Sequence, residues 1–107
     1  MKKAIIAAIL GLSIWACGSE TTSGGTVATA AAPDGKKIFK TYCVTCHGQD
    51  GKMQMNGAKD LTLSELSLED RIQLITNGRN TMLSFKSTLS PRQIEAVAAY
   101  TMEFSGE

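Results

Sequence analysis

Five consecutive residues, Cys43, Val44, Thr45, Cys46 and His47, constrain this chain more than any other feature. They put two thiols and an imidazole within little more than one helical turn, so whatever forms around them must accommodate a cross-link, a metal or a covalently held group. The surrounding composition makes the same demand. Averaged over 107 residues the chain is 43% hydrophobic, an ordinary figure for a globular domain. The distribution is uneven: 12 hydrophobic residues fall in 1–16, 6 in 17–32 and 28 in 33–107, where they make up about 37%. At roughly 70–80 residues, so lean a segment is expected to need a disulfide, a metal or a cofactor to complete its core. The length allows one small domain.

The first residues belong to export rather than to the fold. Lys2 and Lys3 precede a stretch from Ala4 to Ala16 that is apolar except for Gly11 and Ser13. This is the charged and hydrophobic layout of a signal peptide over 1–16, too short for a membrane span of roughly 18 or more apolar residues. The stretch Ile14, Trp15, Ala16, Cys17 resembles a bacterial lipobox, although Trp15 is bulkier than the residue usual at its place. The resemblance implies cleavage before Cys17 and lipidation of that cysteine. Several acyl chains on one residue suffice for stable anchoring. An ordinary signal peptide, or an uncleaved anchor with Cys17 as an idle thiol, are the competing readings.

Residues 17–32 are small or polar and lack any amphipathic period, which predicts a flexible tether behind the lipid. About 15 such residues span roughly 20–25 Å on average. Loss of Lys2 and Lys3 with the leader changes the net charge from +1 to −1, with 9 basic residues against 10 acidic ones. Neither value suits a nucleic-acid binder, which carries a marked basic excess.

The domain, 33–107, is expected to be all-α with three main helices. Asp34 is placed to cap a first helix carrying Ile38, Phe39 and Tyr42 on one face. A second helix is expected from about Leu68 to Asn77, capped by Ser67 with Asp70 in a capping-box-like position. Leu68, Ile72 and Ile75 form its buried stripe, and Gly78 ends it. The third opens on Ser90, Pro91 and Gln93, and aligns Ile94, Val97, Tyr100 and Phe104 on one face. About 24 residues with little pattern separate the first two helices, and a stretch that long in a small domain points to function.

Three chemistries compete for the Cys43–His47 segment. A thiol–disulfide site uses Cys-x-x-Cys, but on a strand–helix architecture not expected here. Structural zinc takes four ligands, whereas Cys43, Cys46 and His47 supply three and Cys17 lies in another segment. Cys-x-x-Cys-His is the attachment signature of c-type haem: the thiols form thioethers with the two vinyl groups and the histidine falls beneath the iron. Export, helical character and the lean core all favour haem. The chain has one histidine, so methionine is the candidate for a sixth iron ligand, from Met53, Met55, Met82 and Met102. Met102 lies beside an apolar helix face and suits packing; Met53 and Met55 are near enough to reach around a haem edge; Met82 sits in the loop Asn77–Phe85 between two helices.

Residues 34–104 resemble a small class I monohaem cytochrome c. The likeness rests on Asp34–Phe39 ahead of Cys43–His47, on Asn80, Thr81 and Met82 with Phe85 after a glycine, and on Gln93–Tyr100 in the last helix. It implies the cytochrome c fold, with three helices and long loops wrapped around one haem c attached through Cys43 and Cys46. It also implies His47 as proximal and Met82 as distal iron ligand, and a helix crossing made by Gly35, Phe39, Val97 and Tyr100. Two departures stand out. Leu83 follows the methionine where the family often has proline, and Ala58 stands where a proline carbonyl usually holds the histidine. The partner of His47 is therefore unassigned, although such a ligand nearly always donates its other N–H.

With both axial positions filled, the expected activity is outer-sphere electron transfer between redox proteins, with iron cycling Fe(III)/Fe(II), in a protein of the bacterial envelope lipid-anchored through Cys17. Lys36, Lys37, Lys40 and Lys52 offer a basic rim for an acidic partner, or only a solvated face; Arg79 is a propionate counter-ion or a loop cation. The alternative is a haem-based binder of small ligands in which Met82 is displaced. An accessory module of a larger oxidoreductase complex is a further possibility. No acid–base pair or nucleophile accompanies the motif, which disfavours an enzyme.

Overall fold

A computed structural model describes residues 31–106. Helix α1 spans Gly35–Tyr42, the short α2 Val44–His47, α3 Leu68–Asn77 and α4 Pro91–Met102, with 3-10 turns at Met55–Gly57 and Leu61–Leu63. No strand occurs among the described residues; the pairing of Arg79 with Met82 is an isolated bridge. None of the described helices is long and apolar enough to cross a membrane. The leader, Cys17 and most of the expected tether lie outside the described residues.

The helix starts follow from side-chain caps that satisfy otherwise orphaned N–H groups. Asp34 Oδ1 accepts from Lys37 N at 3.1 Å. At α3, Ser67 Oγ accepts from Asp70 N at 3.2 Å and donates to the Asp70 carboxylate at 2.7 Å, so the acid braces the cap hydroxyl instead of the backbone. Helix α4 has both arms of a capping box: Gln93 N to Ser90 Oγ at 3.3 Å, and Ser90 N to Gln93 Oε1 at 2.8 Å. Gly78 ends α3 with a positive φ and donates to Leu74 O at 2.7 Å.

The core lies where α1 and α3 pack on α4. Phe39 and Val97 are almost wholly enclosed, joined by Ile38, Ile75, Leu89, Ile94, Ala98 and Phe104. Gly35 permits the α1–α4 crossing: a Cβ there would stand 2.1 Å from the Ala96 carbonyl oxygen and 3.0 Å from the Tyr100 Cβ. Beyond that contact Phe39, Tyr100 and Phe104 form a three-ring cluster with centroids 5.2–5.4 Å apart, the spacing at which tilted and edge-on rings attract.

Several sequence expectations need correction. Helix α4 ends at Met102, so Phe104 reaches the core from the turn beyond it. Leu68 is exposed, and the α3 face that enters the core includes Arg71. The reason is chemical: Arg71 Nε donates to Leu66 O at 3.1 Å, and its two amino groups reach Thr101 O at 2.7 Å, Thr101 Oγ1 at 3.2 Å, Ser64 O at 3.2 Å and Ser105 Oγ. Such a fork can be buried because neutral oxygens replace its water. Tyr42 is also exposed, with its ring edge-on to Phe85 at 6.3 Å. Met102 is 36% exposed, at the rim of the α4 face rather than in the core.

Candidate haem site

The site is assembled from the turn after α1 and from two loops. Helix α1 stops at Tyr42; Cys43 N bonds Phe39 O at 2.9 Å, and the chain turns into α2, with His47 N on Cys43 O at 2.9 Å. Both thiols are half-buried and free of any disulfide. Burial, and then the neighbouring Cys46, push the Cys43 thiol up to about 11, so it stays protonated at neutral pH. Val44 and Cys43 pack against the core, which fixes the thiol pair to the rigid part of the molecule.

His47 has the partner that the sequence left open. Its Nδ1 lies 3.1 Å from the Lys59 carbonyl oxygen. A carbonyl only accepts, so Nδ1 carries the proton and Nε2 keeps its lone pair for a metal. Burial lowers the affinity of the ring for a second proton, with the Lys59 hydrogen bond opposing that shift. The neutral ring with a free Nε2 is the form that ligates iron. Lys59 is itself anchored by the next three residues: Asp60 Oδ1 accepts from Thr62 N at 2.9 Å and from Thr62 Oγ1 at 2.6 Å, and Leu61 N donates to Gly51 O at 2.8 Å. No residue-type signal could have revealed Lys59, because its contribution is a backbone oxygen.

Met82 occupies the second loop. Arg79 N bonds Met82 O at 3.1 Å and Met82 N bonds Arg79 O at 3.0 Å, closing a tight turn whose first central residue, Asn80, has a φ of +55°. The Met82 side chain is half-buried and packs against the core, as does Phe85. Phe85 N donates to Ile75 O at 3.0 Å and Ser84 Oγ to Thr76 O at 2.6 Å, so the loop is stitched to the end of α3. Leu83, next to Met82, is exposed, and so are Met53 and Met55. Of the four candidate methionines, Met82 alone packs against the core. Arg79 and the lysines Lys36, Lys37, Lys40, Lys52, Lys59 and Lys86 are all exposed.

The donor set fits a haem c: a pair of thiols in Cys-x-x-Cys spacing, a histidine with Nε2 free and Nδ1 engaged, and a thioether on the core side of a second loop. Comparison with known proteins agrees. A profile of the family described as cytochrome c oxidase, cbb3-type, subunit III matches residues 30–100. Cytochrome c6 of a Nostoc species is 37% identical over 95% of this chain and 93% of its own length. The cbb3-type cytochrome c oxidase subunit FixP of Azorhizobium caulinodans is 39% identical over 73% of this chain, which corresponds to 29% of FixP. Among solved structures, the c-type cytochrome KustC0563 superposes with a TM-score of 0.62 at 31% identity, covering 67% of this chain and 98% of that one. Cytochrome c6C from Synechococcus sp. gives 0.59 at 28% identity, covering 66% and 93%. The chain therefore belongs to the small c-type cytochromes, the electron-transfer family that includes cytochrome c6 and the cytochrome domain of the cbb3-type subunit, and its cofactor is one covalently attached haem c.

Proposed function

We propose that this protein is a single-haem electron carrier of the bacterial envelope, with thioethers at Cys43 and Cys46 and axial ligation by His47 and Met82. The haem supplies one-electron Fe(III)/Fe(II) chemistry, and the chain's own residues set the conditions for it. Lys59 O holds the His47 ring and its tautomer, a contact of the kind that raises ligand basicity. Thioether ligation by Met82 favours the ferrous state and raises the potential. Core packing from Cys43, Val44 and Phe85 keeps the site firm between redox states.

The observation that carries this reading is the hold on Met82: paired backbone bonds to Arg79, a side chain against the core, and a loop stitched to α3. A site with both axial positions occupied exchanges electrons without binding substrate. The ligand-binding alternative requires Met82 to leave a position that these contacts support. An optical redox titration of the purified protein tests the reading, together with Met82→Ala. The ferric wild type should show a sulfur–iron charge-transfer band that the variant lacks, and the variant's potential should fall. Persistence of the band in Met82→Ala would overturn the assignment.

The basic leader and the lipobox-like Ile14–Cys17 support export and a lipid anchor at Cys17, with residues 17–32 as the tether and 33–107 as the haem domain. Mass spectrometry of the membrane fraction tests this; an unmodified Cys17 in the mature chain would refute it. The exposed lysines around the attachment site suit acidic redox partners, an attraction that added salt would weaken. The likeness to FixP supports a second setting, as a relay beside a terminal oxidase.

A further inference from the structure

The tip of the Met82 loop is tied to the segment ahead of Lys59 by one side chain. Thr81 Oγ1 donates to the Asn56 carbonyl oxygen at 2.7 Å, across 25 positions of sequence. Both ends of this bond sit in tight turns. Thr81 is a central residue of the turn closed by Arg79 and Met82, and Asn56 has a φ of +52° inside the 3-10 turn Met55–Gly57. That second turn leads through Ala58, whose N–H bonds Met55 O at 3.0 Å, directly into Lys59, the acceptor of His47. The bond thus joins the segment bearing Met82 to the segment that orients His47.

The other ties of the Met82 loop run elsewhere. Gly78 N, Ser84 Oγ and Phe85 N all bond carbonyls of α3 and fix the two stems of the loop, and the Arg79–Met82 pair is internal to it. Leu83, next to Met82, is 76% exposed. The tip is therefore held from its stems, by the packing of Met82 on the core, and by the Thr81 bond to the segment ahead of Lys59.

We infer that Thr81 is a positioning residue for Met82: its bond to Asn56 O is a clasp that keeps the loop closed and so sets how readily an incoming nitrogen ligand replaces the thioether. This rests on Met82 being the distal ligand. An external ligand binds only the fraction of molecules in which Met82 has swung away, so its apparent affinity scales with that fraction. If the clasp exists in the closed form alone, removing it multiplies the open fraction by the equilibrium worth of one partly hydrated hydrogen bond, about 2- to 10-fold.

The test uses the haem-loaded protein, imidazole as the probe, and two substitutions. Thr81→Val keeps the shape and removes the hydroxyl; Thr81→Ser keeps the hydroxyl. Ferric protein is titrated with imidazole by absorbance, and urea unfolding is followed in parallel. The expected result is about 2- to 10-fold tighter imidazole binding by Thr81→Val, with its sulfur–iron band intact before imidazole is added and with Thr81→Ser close to wild type. Wild-type affinity in Thr81→Val overturns the clasp, including the case in which only its urea midpoint falls. Tightening of Thr81→Ser to the valine level overturns it too, since the hydroxyl would then not matter. A wild type with no sulfur–iron band would instead overturn the Met82 ligation on which the inference stands.

Discussion

Gly78 shows how much a single position governs at this site. Its φ is +72°, and a Cβ there would stand 2.5 Å from the Met82 carbonyl oxygen and 2.8 Å from both Leu83 C and Ser84 N. These are backbone atoms and cannot step aside as a flexible side chain can. With ψ at 169° the position lies in a region that only glycine adopts freely, so Gly78→Ala should cost more than the roughly 1–3 kcal/mol of a residue held in such a region, and should push the Met82 turn off the core. Gly57 is the control, since its φ is +80° but nothing lies within 4 Å of an added Cβ. Urea denaturation of the two variants should separate the clash from the conformational cost, and only Gly78→Ala should weaken the sulfur–iron band. Equal losses in both would mean that the loop yields. At this scale the sequence disclosed what depends on residue type. Cys43, Cys46 and His47 stand out as candidates by spacing, and Met82 by resemblance. The partner of His47 is a carbonyl oxygen that any residue can supply, so only folding reveals that it belongs to Lys59.

Among the elements, both ends of α3 and the start of α4 were legible because each is set by local chemistry: Ser67 and Ser90 as caps, Pro91 in the first turn of α4, Gly78 past the end of α3; nothing as local marks the end of α4 at Met102. The faces were less legible. Apolar periodicity counted Leu68 into the buried stripe of α3 and passed over Arg71, since a cation is assigned to solvent unless its acceptors are known. Those acceptors come from two separate stretches of the domain: Ser64 and Leu66 lie just before α3, while Thr101 and Ser105 lie at and beyond the end of α4. Ser105 Oγ also donates to Leu61 O at 3.2 Å, so the segment leading away from Lys59 is fastened to the chain's last turn. Arg71→Met matches the stem but leaves the Ser64, Leu66 and Thr101 carbonyls without these donors. At about 1–3 kcal/mol per unsatisfied buried group, with water recovering part, a loss of roughly 2–4 kcal/mol is expected. Arg71→Lys should recover little, because an ammonium cannot span the fork. Urea unfolding measures the loss, and amide exchange should speed up first at residues 61–66. A loss below about 0.5 kcal/mol, the scale of surface substitutions, would show that the network is dispensable.

For the molecule as a whole, the question is whether the side chains alone make a stable domain. Phe39 and Val97 are the only large side chains among the described residues that are essentially sealed from solvent. Around them the helix contacts are good: the Gly35 crossing, the three-ring cluster, and Ile75, Leu89 and Ile94 between α3 and α4. The residues at and beside the proposed haem site are held differently. Cys43, Val44, Met82 and Phe85 are half-buried at the edge of the core, and the loop carrying Met82 and Phe85 is stitched to α3 by a few hydrogen bonds. A chain of this size normally needs an additional staple, and a covalent haem would give these residues their second contact surface. Protein can be made without haem attachment, by expression in a compartment lacking the attachment machinery or as the Cys43→Ala, Cys46→Ala double variant. It should retain part of its helical far-ultraviolet signal, lose its aromatic near-ultraviolet signal, and unfold over a broad range of urea; the holoprotein should unfold in one sharp step. Amide exchange should be protected longest at the α1–α4 crossing and lost across residues 48–66 and 78–88. A sharp transition for the haem-free chain would show instead that the helix core suffices, and would make the haem a passenger in a domain able to fold without it.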